Sequence, residues 1–242
     1  MENLPTADHT VKAFDEELGA IRTLIAEMGG TAEEQLARAV DALTRRDPEL
    51  AEQVIADDTR LDQFELEIED QSIRTIAKRQ PMASDLRELM VAIRIASDLE
   101  RVGDLAKNIS KRTIAMTDHI PKRVLGGFKR MGMLALEQLK TVLDAYARRD
   151  TEKALGVWNE DEELDQLYNS VFRELLTYMM EDPRTIGMCT HLLFGAKNIE
   201  RIGDHATNIA ENVYYLVEGH QLVDERPKQD KTSLTTFEHP QH

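Results

Sequence analysis

The chain has 242 residues, with 45 acidic and 30 basic side chains and a formal net charge of −15 at pH 7. Nucleic-acid binding needs basic surfaces that neutralise phosphates, so this charge argues against DNA or RNA as a partner and against unaided binding to an anionic membrane. The hydrophobic fraction of 41%, with only 5% aromatic residues, is typical of helices packed on helices.

The sequence also predicts the cellular compartment. No apolar run reaches the roughly 18–20 residues of a membrane span, and the first residues lack the basic and apolar regions of a secretory signal. The single cysteine, Cys189, allows no intramolecular disulfide and has the apolar neighbours of a core thiol. We therefore expect a cytoplasmic protein that reaches a membrane only through partners.

Apolar residues recur with helical spacing along most of the chain. Residues 11–46 predict a first helix. Asp47 followed by Pro48 is typical of a helix N-cap with proline in the first turn, and predicts a second helix that ends near Arg79. A third helix is predicted over about residues 84–116.

The second half of the chain repeats this plan. Residues 34–47 (EQLARAVDALTRRD) and 137–150 (EQLKTVLDAYARRD) share eight of fourteen positions at an offset of 103. Residues 99–109 (LERVGDLAKNI) and 199–209 (IERIGDHATNI) share seven of eleven at an offset of 100. The sequence therefore predicts an all-α protein made of two tandem three-helix bundles related by internal duplication, with six long antiparallel helices.

The duplication also settles the length of the first helix. Gly29 and Gly30 alone would predict a helix end, but Gly29 aligns with Gly132, which lies inside an uninterrupted helical pattern. One long first helix per repeat, kinked at the glycines, is therefore expected. The predicted domains are 10–118 and 119–219, flanked by a disordered N-terminus (1–9) and a polar flexible tail (220–242).

Each repeat carries two acid-x-x-x-Asp pairs at corresponding positions. The pairs are Asp58/Asp62 and Asp161/Asp165 on the second helices, and Glu100/Asp104 and Glu200/Asp204 on the third helices. Residues four apart lie one above the other on a helix, so each pair presents two carboxylates that repel each other unless a cation lies between them. An isolated pair usually belongs to a solvated helix face. Four pairs at equivalent places of a duplicated unit favour a metal site.

Neighbouring residues extend or surround these pairs. Asn108 and Asn208 continue the third-helix pairs by one turn, and Arg101 and Arg201 form either surface ion pairs or contacts around a bound ion. On a helical wheel the third-helix acids lie off the apolar stripe, which favours an exposed face or an open metal cluster over a site sealed inside a bundle.

Two glycines lie within the third helices beside the acids. Gly103 and Gly203 indicate either close helix packing or room for a bulky group. Carboxylate and amide ligands favour hard or borderline cations, and do not distinguish Fe, Mn, Mg and Zn. No histidine follows an acid by three residues, which argues against a ferritin-like di-iron oxidase.

With these motifs the chain resembles the PhoU family of phosphate-transport regulators over about residues 10–219. Members of that family are twofold repeats of a three-helix bundle with two E(D)-x-x-x-D motifs per repeat, which the eight acids match. The segment 79–87 is similar to the first interhelix connection of the family, whereas 182–186 is more divergent.

The resemblance implies a regulatory function and not an enzyme. It implies a negative regulator of phosphate uptake and of the phosphate-starvation response, acting with a phosphate-specific ABC transporter and a membrane sensor histidine kinase. It also implies multinuclear metal clusters on the acidic motifs and a homodimer.

Two alternatives remain open at the level of sequence. A purely structural helical adaptor would leave the acids facing water or a partner, without metal. A metalloenzyme would process phosphate compounds through a two-metal site with an open coordination position. The chain has no nucleotide-binding glycine motif and no paired Cys/His set, which disfavours other enzyme classes.

Overall fold

A computed structural model describes residues 7–116 and 122–222, and this part of the chain is helical without any strand. The helices are α1 (Ala7–Arg45), α2 (Pro48–Asp57), α3 (Thr59–Arg79), α4 (Ser84–Ala115), α5 (Lys122–Arg148), α6 (Thr151–Glu181) and α7 (Ile186–Glu218), with one 3-10 turn (Pro183–Thr185) between α6 and α7. The predicted all-α, duplicated architecture is confirmed.

The first helix of each repeat is continuous. Gly29 and Thr31 lie inside α1, where the Thr31 hydroxyl donates to the carbonyl of Glu27, one turn earlier. A helix end at the glycines, which the local pattern alone would predict, is wrong, and the prediction of one long helix from the duplication is correct. Tertiary packing keeps the helix intact although two adjacent glycines weaken it locally.

The second helix begins in the same way in both repeats. The carboxylates of Asp47 and Asp150 accept hydrogen bonds from the amides of Leu50 and Lys153, at 2.9 and 3.0 Å. These bonds satisfy backbone donors of the first turn, which have no partner within the helix. The predicted N-cap at Asp47 is therefore confirmed.

The two second helices then differ. The first repeat interrupts its helix at Asp58, whereas α6 runs through the corresponding position without a break. Asp58 keeps right-handed helical angles (φ −59°, ψ −36°), and its carbonyl accepts from the amide of Leu61 at 3.0 Å, as in a tighter 3-10 turn. The interruption is therefore a local change from α-helical to 3-10 hydrogen bonding at Asp58, whose side chain is buried.

The two repeats share one hydrophobic core. Helix α1 packs against α4 and α5, and α7 packs against α4, α5 and α6. Fully buried side chains from both repeats, including Ile25, Met28, Phe128 and Met131, belong to the same cluster. Neither repeat therefore buries its apolar faces alone.

The predicted termini lie largely outside the described residues. Helix α1 already begins at Ala7, so the predicted boundary at residue 10 falls within a helix. The expected disorder of residues 1–6 and of the tail after residue 222 lies outside the described part of the chain. Of the helices that are described, none has the length and apolar character needed to cross a membrane.

Candidate functional site

Helix α3 packs on α4, and α6 packs on α7, and the predicted acids lie on these paired helices. In the first repeat Asp58 lies at the α2–α3 junction, Asp62 lies on α3, and Glu100 and Asp104 lie on α4. In the second repeat Asp161 and Asp165 lie on α6, and Glu200 and Asp204 lie on α7. We call these two groups the first and second acid sets.

A lysine joins the two helices of the first acid set. Lys107 Nζ lies 2.5 Å from Asp58 Oδ2 and 3.3 Å from Asp104 Oδ1. Asp58 is only 3% exposed, so its charge needs a partner inside the protein. The ammonium provides that partner, and its own pKa is raised by the hydrogen bond and charge of Asp58 and then of Asp104.

The remaining acids of the first set repel one another. Burial raises the pKa of Glu100, and the nearby charges of Asp104, Glu65 and Asp62 raise it further. Asp62 itself is exposed on α3. The charges of Asp62 on α3 and Asp104 on α4 are therefore close enough to Glu100 to raise its pKa.

Two acids of the second set are buried. Asp165 and Glu200 are only 4% and 5% exposed. The pKa of Glu200 is raised to about 7. Burial is the largest cause, and the charges of Asp204 and Asp165 act in the same direction, whereas Lys197 opposes the shift. Lys197 Nζ donates to Glu200 Oε1 at 2.9 Å, and within the described residues Glu200 Oε2 is buried without a hydrogen-bond partner.

This burial corrects the helical-wheel analysis. The wheel predicts that the third-helix acids lie outside the core, and Glu100, Asp104 and Asp204 are indeed only partly buried. Glu200 is buried because α6 covers a side of α7 that a single-helix wheel treats as free. Asp161 belongs to α6, and its side chain lies outside the described part of the structure.

The other predicted residues divide between surface and interface. Asn108, Arg101 and Arg201 are exposed. Arg101 lies 3.5 Å from Glu100 and 3.6 Å from Asp104, an arrangement that fits a surface ion pair. The Asn208 amide instead donates to Asp98 Oδ1 of the first repeat at 3.3 Å.

Both in-helix glycines serve close packing. A Cβ atom at Gly103 or Gly203 would collide with the side chain of Leu61 or Leu164, which lies on the opposing helix. Of the two predicted roles, the structure therefore supports tight contact between the second and third helices. Cys189 is a buried core thiol, and burial raises its pKa.

Sequence reasoning missed a pair of buried glutamines at these contacts. Gln35 Nε2 donates to Asp58 Oδ1 at 3.1 Å, while Gln35 Oε1 and its repeat partner Gln138 Oε1 have no hydrogen-bond partner among the described residues. Each of these oxygens would lie 3.2 Å from a Cβ at Gly103 or Gly203. The identical EQL triplets at an offset of 103 contained this signal.

Carboxylates are suitable ligands for a hard cation, but these acids are not arranged as a complete coordination sphere. Across the described residues no three His, Cys, Asp or Glu side chains converge closely enough to hold one ion. The donor chemistry does fit a metal, because carboxylates from facing helices lie together and Glu200 leaves one buried oxygen without a partner. Binding would require the side chains to turn toward a shared ion.

Comparison with known proteins identifies the family of the chain. The PhoU domain model matches residues 25–113 and 128–213, one match in each repeat. The phosphate-specific transport system accessory protein PhoU homolog of Rhizobium meliloti is 60% identical over 226 residues, covering 93% of this chain and 95% of its own. The homolog of the same name from Caulobacter vibrioides (strain NA1000 / CB15N) is 53% identical, covering 93% and 99%.

Solved structures show the same fold. The crystal structure of PhoU from Pseudomonas aeruginosa has a TM-score of 0.83 at 40% identity and covers 86% of this chain and 100% of its own. The phosphate transport system regulatory protein PhoU from Streptococcus pneumoniae has a TM-score of 0.79 at 30% identity, covering 86% and 99%. With the duplicated helical unit and its repeated acid sets, these matches show that the chain belongs to the PhoU family.

Proposed function

We propose that this protein is an accessory regulator of a phosphate-specific transport system, which restrains phosphate uptake and represses the phosphate-starvation response when phosphate is plentiful. The relatives named above are accessory or regulatory proteins of such systems. The proposed partners are the ABC transporter and its phosphate-sensing membrane histidine kinase. The role is regulatory and not catalytic, and the protein acts as a cytoplasmic homodimer.

The observation that supports a metal-dependent form of this function is the recurrence of one acid set in each repeat. The residues that would hold metal are Asp58, Asp62, Glu100 and Asp104 in the first set, and Asp161, Asp165, Glu200 and Asp204 in the second. A bound Fe, Mn, Mg or Zn ion would supply positive charge that neutralises these carboxylates. Of the protein's own side chains, Lys107 already joins the second and third helices of the first repeat through Asp58 and Asp104.

Elemental analysis of purified protein tests the metal assignment. The double variant Glu100→Ala/Asp104→Ala should lose bound metal while its far-UV circular dichroism stays helical. A matched control is Glu67→Ala/Asp70→Ala, which removes two acids from the exposed face of α3. Only trace metal in all three proteins would favour the metal-free adaptor, with Lys107 as the permanent counter-ion, and equal stoichiometric metal would place the metal outside these motifs.

Expression of phosphate-starvation genes tests the regulatory assignment. In cells that contain the matched transporter and kinase, deletion should raise reporter expression in phosphate-rich medium, and the wild-type gene should restore repression. Unchanged expression after deletion would contradict the regulatory role. Sedimentation of the purified protein tests the homodimer, and a monomer at cellular concentrations would refute that part.

A further inference from the structure

Lys107 stands where a metal ion of the first acid set would have to bind. Its ammonium contacts Asp58 at the α2–α3 junction and Asp104 on α4, one acid from each of the facing pairs. A cation that joins these two helices must contact acids from both of them. The lysine already makes that contact.

Buried oxygens lie one turn away, beside Gly103. Gln35 Oε1 and Asp58 Oδ1 would lie 3.2 and 3.5 Å from a Cβ at Gly103, so both oxygens are close to the same point of α4. Gln35 is only 3% exposed, and its Oε1 has no hydrogen-bond partner in the described ranges 7–116 and 122–222. Buried polar oxygens are normally paired, so an unpaired one next to a carboxylate indicates a position for a positive ligand.

We propose that the ammonium of Lys107 occupies the cation position of the first acid set, so that a metal ion enters only by displacing it and Lys107 sets the metal affinity of this repeat. This inference rests on the proposed metal-binding function. A lysine is suited to the role because its ammonium is a compact point charge on a flexible stem. The stem holds the charge at a high effective concentration beside Asp58, and any metal must compete with it.

The second repeat uses its lysine differently. Thr207 stands at the position of Lys107, and its hydroxyl donates to the carbonyl of Gly203 at 3.0 Å. Lys197 contacts Glu200 three residues away on the same helix, and Ser97 occupies the corresponding place in the first repeat. Lys107 therefore acts on the first acid set only, and its removal should change one of the two sites.

Manganese binding to the variant Lys107→Met provides the test. Methionine keeps the apolar stem and removes the charge, so calorimetric titration of metal-free protein with Mn²⁺ should show one class of site at least about tenfold tighter than in the wild type. Lys111→Met is the matched control, because Lys111 lies exposed one turn further along α4. The Mn²⁺ affinity of Lys111→Met should stay within about threefold of that of the wild type, because the charge of an exposed lysine is screened by salt.

Thermal unfolding and lysine labelling add readouts that do not depend on calorimetry. Without metal, Lys107→Met should melt at a lower temperature than the wild type because Asp58 loses its counter-ion, and saturating Mn²⁺ should raise its melting temperature more than that of the wild type.

In the wild-type protein, Mn²⁺ should increase acylation of Lys107 by an amine-reactive reagent, measured by mass spectrometry. Acylation of Lys111 should stay unchanged.

The outcomes separate this inference from the proposed function. Wild-type binding of Mn²⁺ with no gain in Lys107→Met, and no change in Lys107 acylation, would overturn the inference and leave the metal-binding function intact. Binding by Lys107→Met alone would support it and show that the wild-type first repeat excludes this metal. No binding by either protein would overturn it, because the lysine would then not be what excludes the ion.

Discussion

At the scale of single residues, the most unusual carboxyl group is that of Glu200. It is buried beside Asp165 and Asp204, and its pKa is raised to about 7, mainly by burial. Its partner Lys197 contacts only one of the two carboxylate oxygens. The metal-free protein at neutral pH must therefore either hold a costly charge here or keep a proton.

The pH dependence of stability follows from that shift. Glu200 titrates near its ordinary value of 4.5 in the unfolded chain and near 7 in the folded protein, so the folded state binds more protons between these values. Stability from this group is complete below about pH 4.5 and is lost as pH rises through 7. One pKa unit corresponds to about 1.4 kcal/mol, which sets an upper limit of roughly 3 kcal/mol.

The variant Glu200→Gln should remove this dependence. In the presence of a chelator, its advantage in free energy of unfolding over the wild type should grow between pH 5 and pH 8, as measured by urea denaturation. The same substitution at exposed Glu163 on α6 is the control, because a charge in contact with water costs little. A stability difference that does not change with pH would contradict the raised pKa.

At the scale of helices, reciprocal contacts join the first helices of the two repeats. A Cβ at Gly29 in α1 would lie 2.8 Å from a methyl of Leu143 in α5. A Cβ at Gly132 in α5 would lie 2.6 Å from both methyls of Val40 in α1. Gly132 follows Gly29 by 103 residues, and Leu143 follows Val40 by the same number. The two glycine contacts are therefore equivalent in the duplicated sequence.

Alanine substitutions should reveal the difference between these two contacts. Gly132→Ala should lower the free energy of unfolding by about 1–3 kcal/mol, because β-branched Val40 is stiff and cannot move aside. Gly29→Ala should cost less, since the end of Leu143 can change rotamer. Chemical denaturation of both variants measures the two costs.

Gly30→Ala is the matched control for the helix itself. Nothing lies within 4 Å of a Cβ at Gly30, so alanine there should stabilise α1 by up to about 1 kcal/mol. Stabilisation by Gly132→Ala of the same size as by Gly30→Ala would show that the α1–α5 contact has more room than the structure indicates.

At the scale of the whole molecule, an ion triad centred on a buried glutamate joins the two repeats. Glu88 on α4 is only 6% exposed and accepts from Arg22 of α1 and from Arg149, which directly follows α5, at 2.5 Å each. Arg149 belongs to the second repeat, so Glu88 links both halves. Met188, 100 residues later, is the corresponding apolar residue, so the duplication does not repeat this polar contact.

Neutralising this acid should weaken the whole fold. Glu88→Gln should lower the free energy of unfolding by about 1–3 kcal/mol, because two guanidinium groups lose a charged partner in a partly buried setting. Asp70→Asn, which breaks an exposed pair with Arg74, should cost about 0.5 kcal/mol or less. Equal costs for the two variants in urea denaturation would show that the Glu88 triad behaves as a surface contact.

Local and repeated patterns were enough to predict much of the molecule. The N-cap at Asp47, the helix end near Arg79, the duplicated all-α plan and the continuity of α1 are confirmed, whereas the interruption at Asp58 was not predicted. These features depend on backbone hydrogen bonds within a few residues or on identity between two halves of the chain, and both are visible without knowing which helices touch.

Only the tertiary structure decided which charges meet and how deeply they are buried. That Lys107 bridges Asp58 and Asp104, that Glu200 lies under α6, and that Asn208 contacts the other repeat depend on distances between helices. A helical wheel describes the faces of one helix, whereas burial and pairing depend on the helix packed against it. By itself the sequence determined the helices, their duplication and the presence of two acid sets, and the packing of helix on helix decided the partners of each acid.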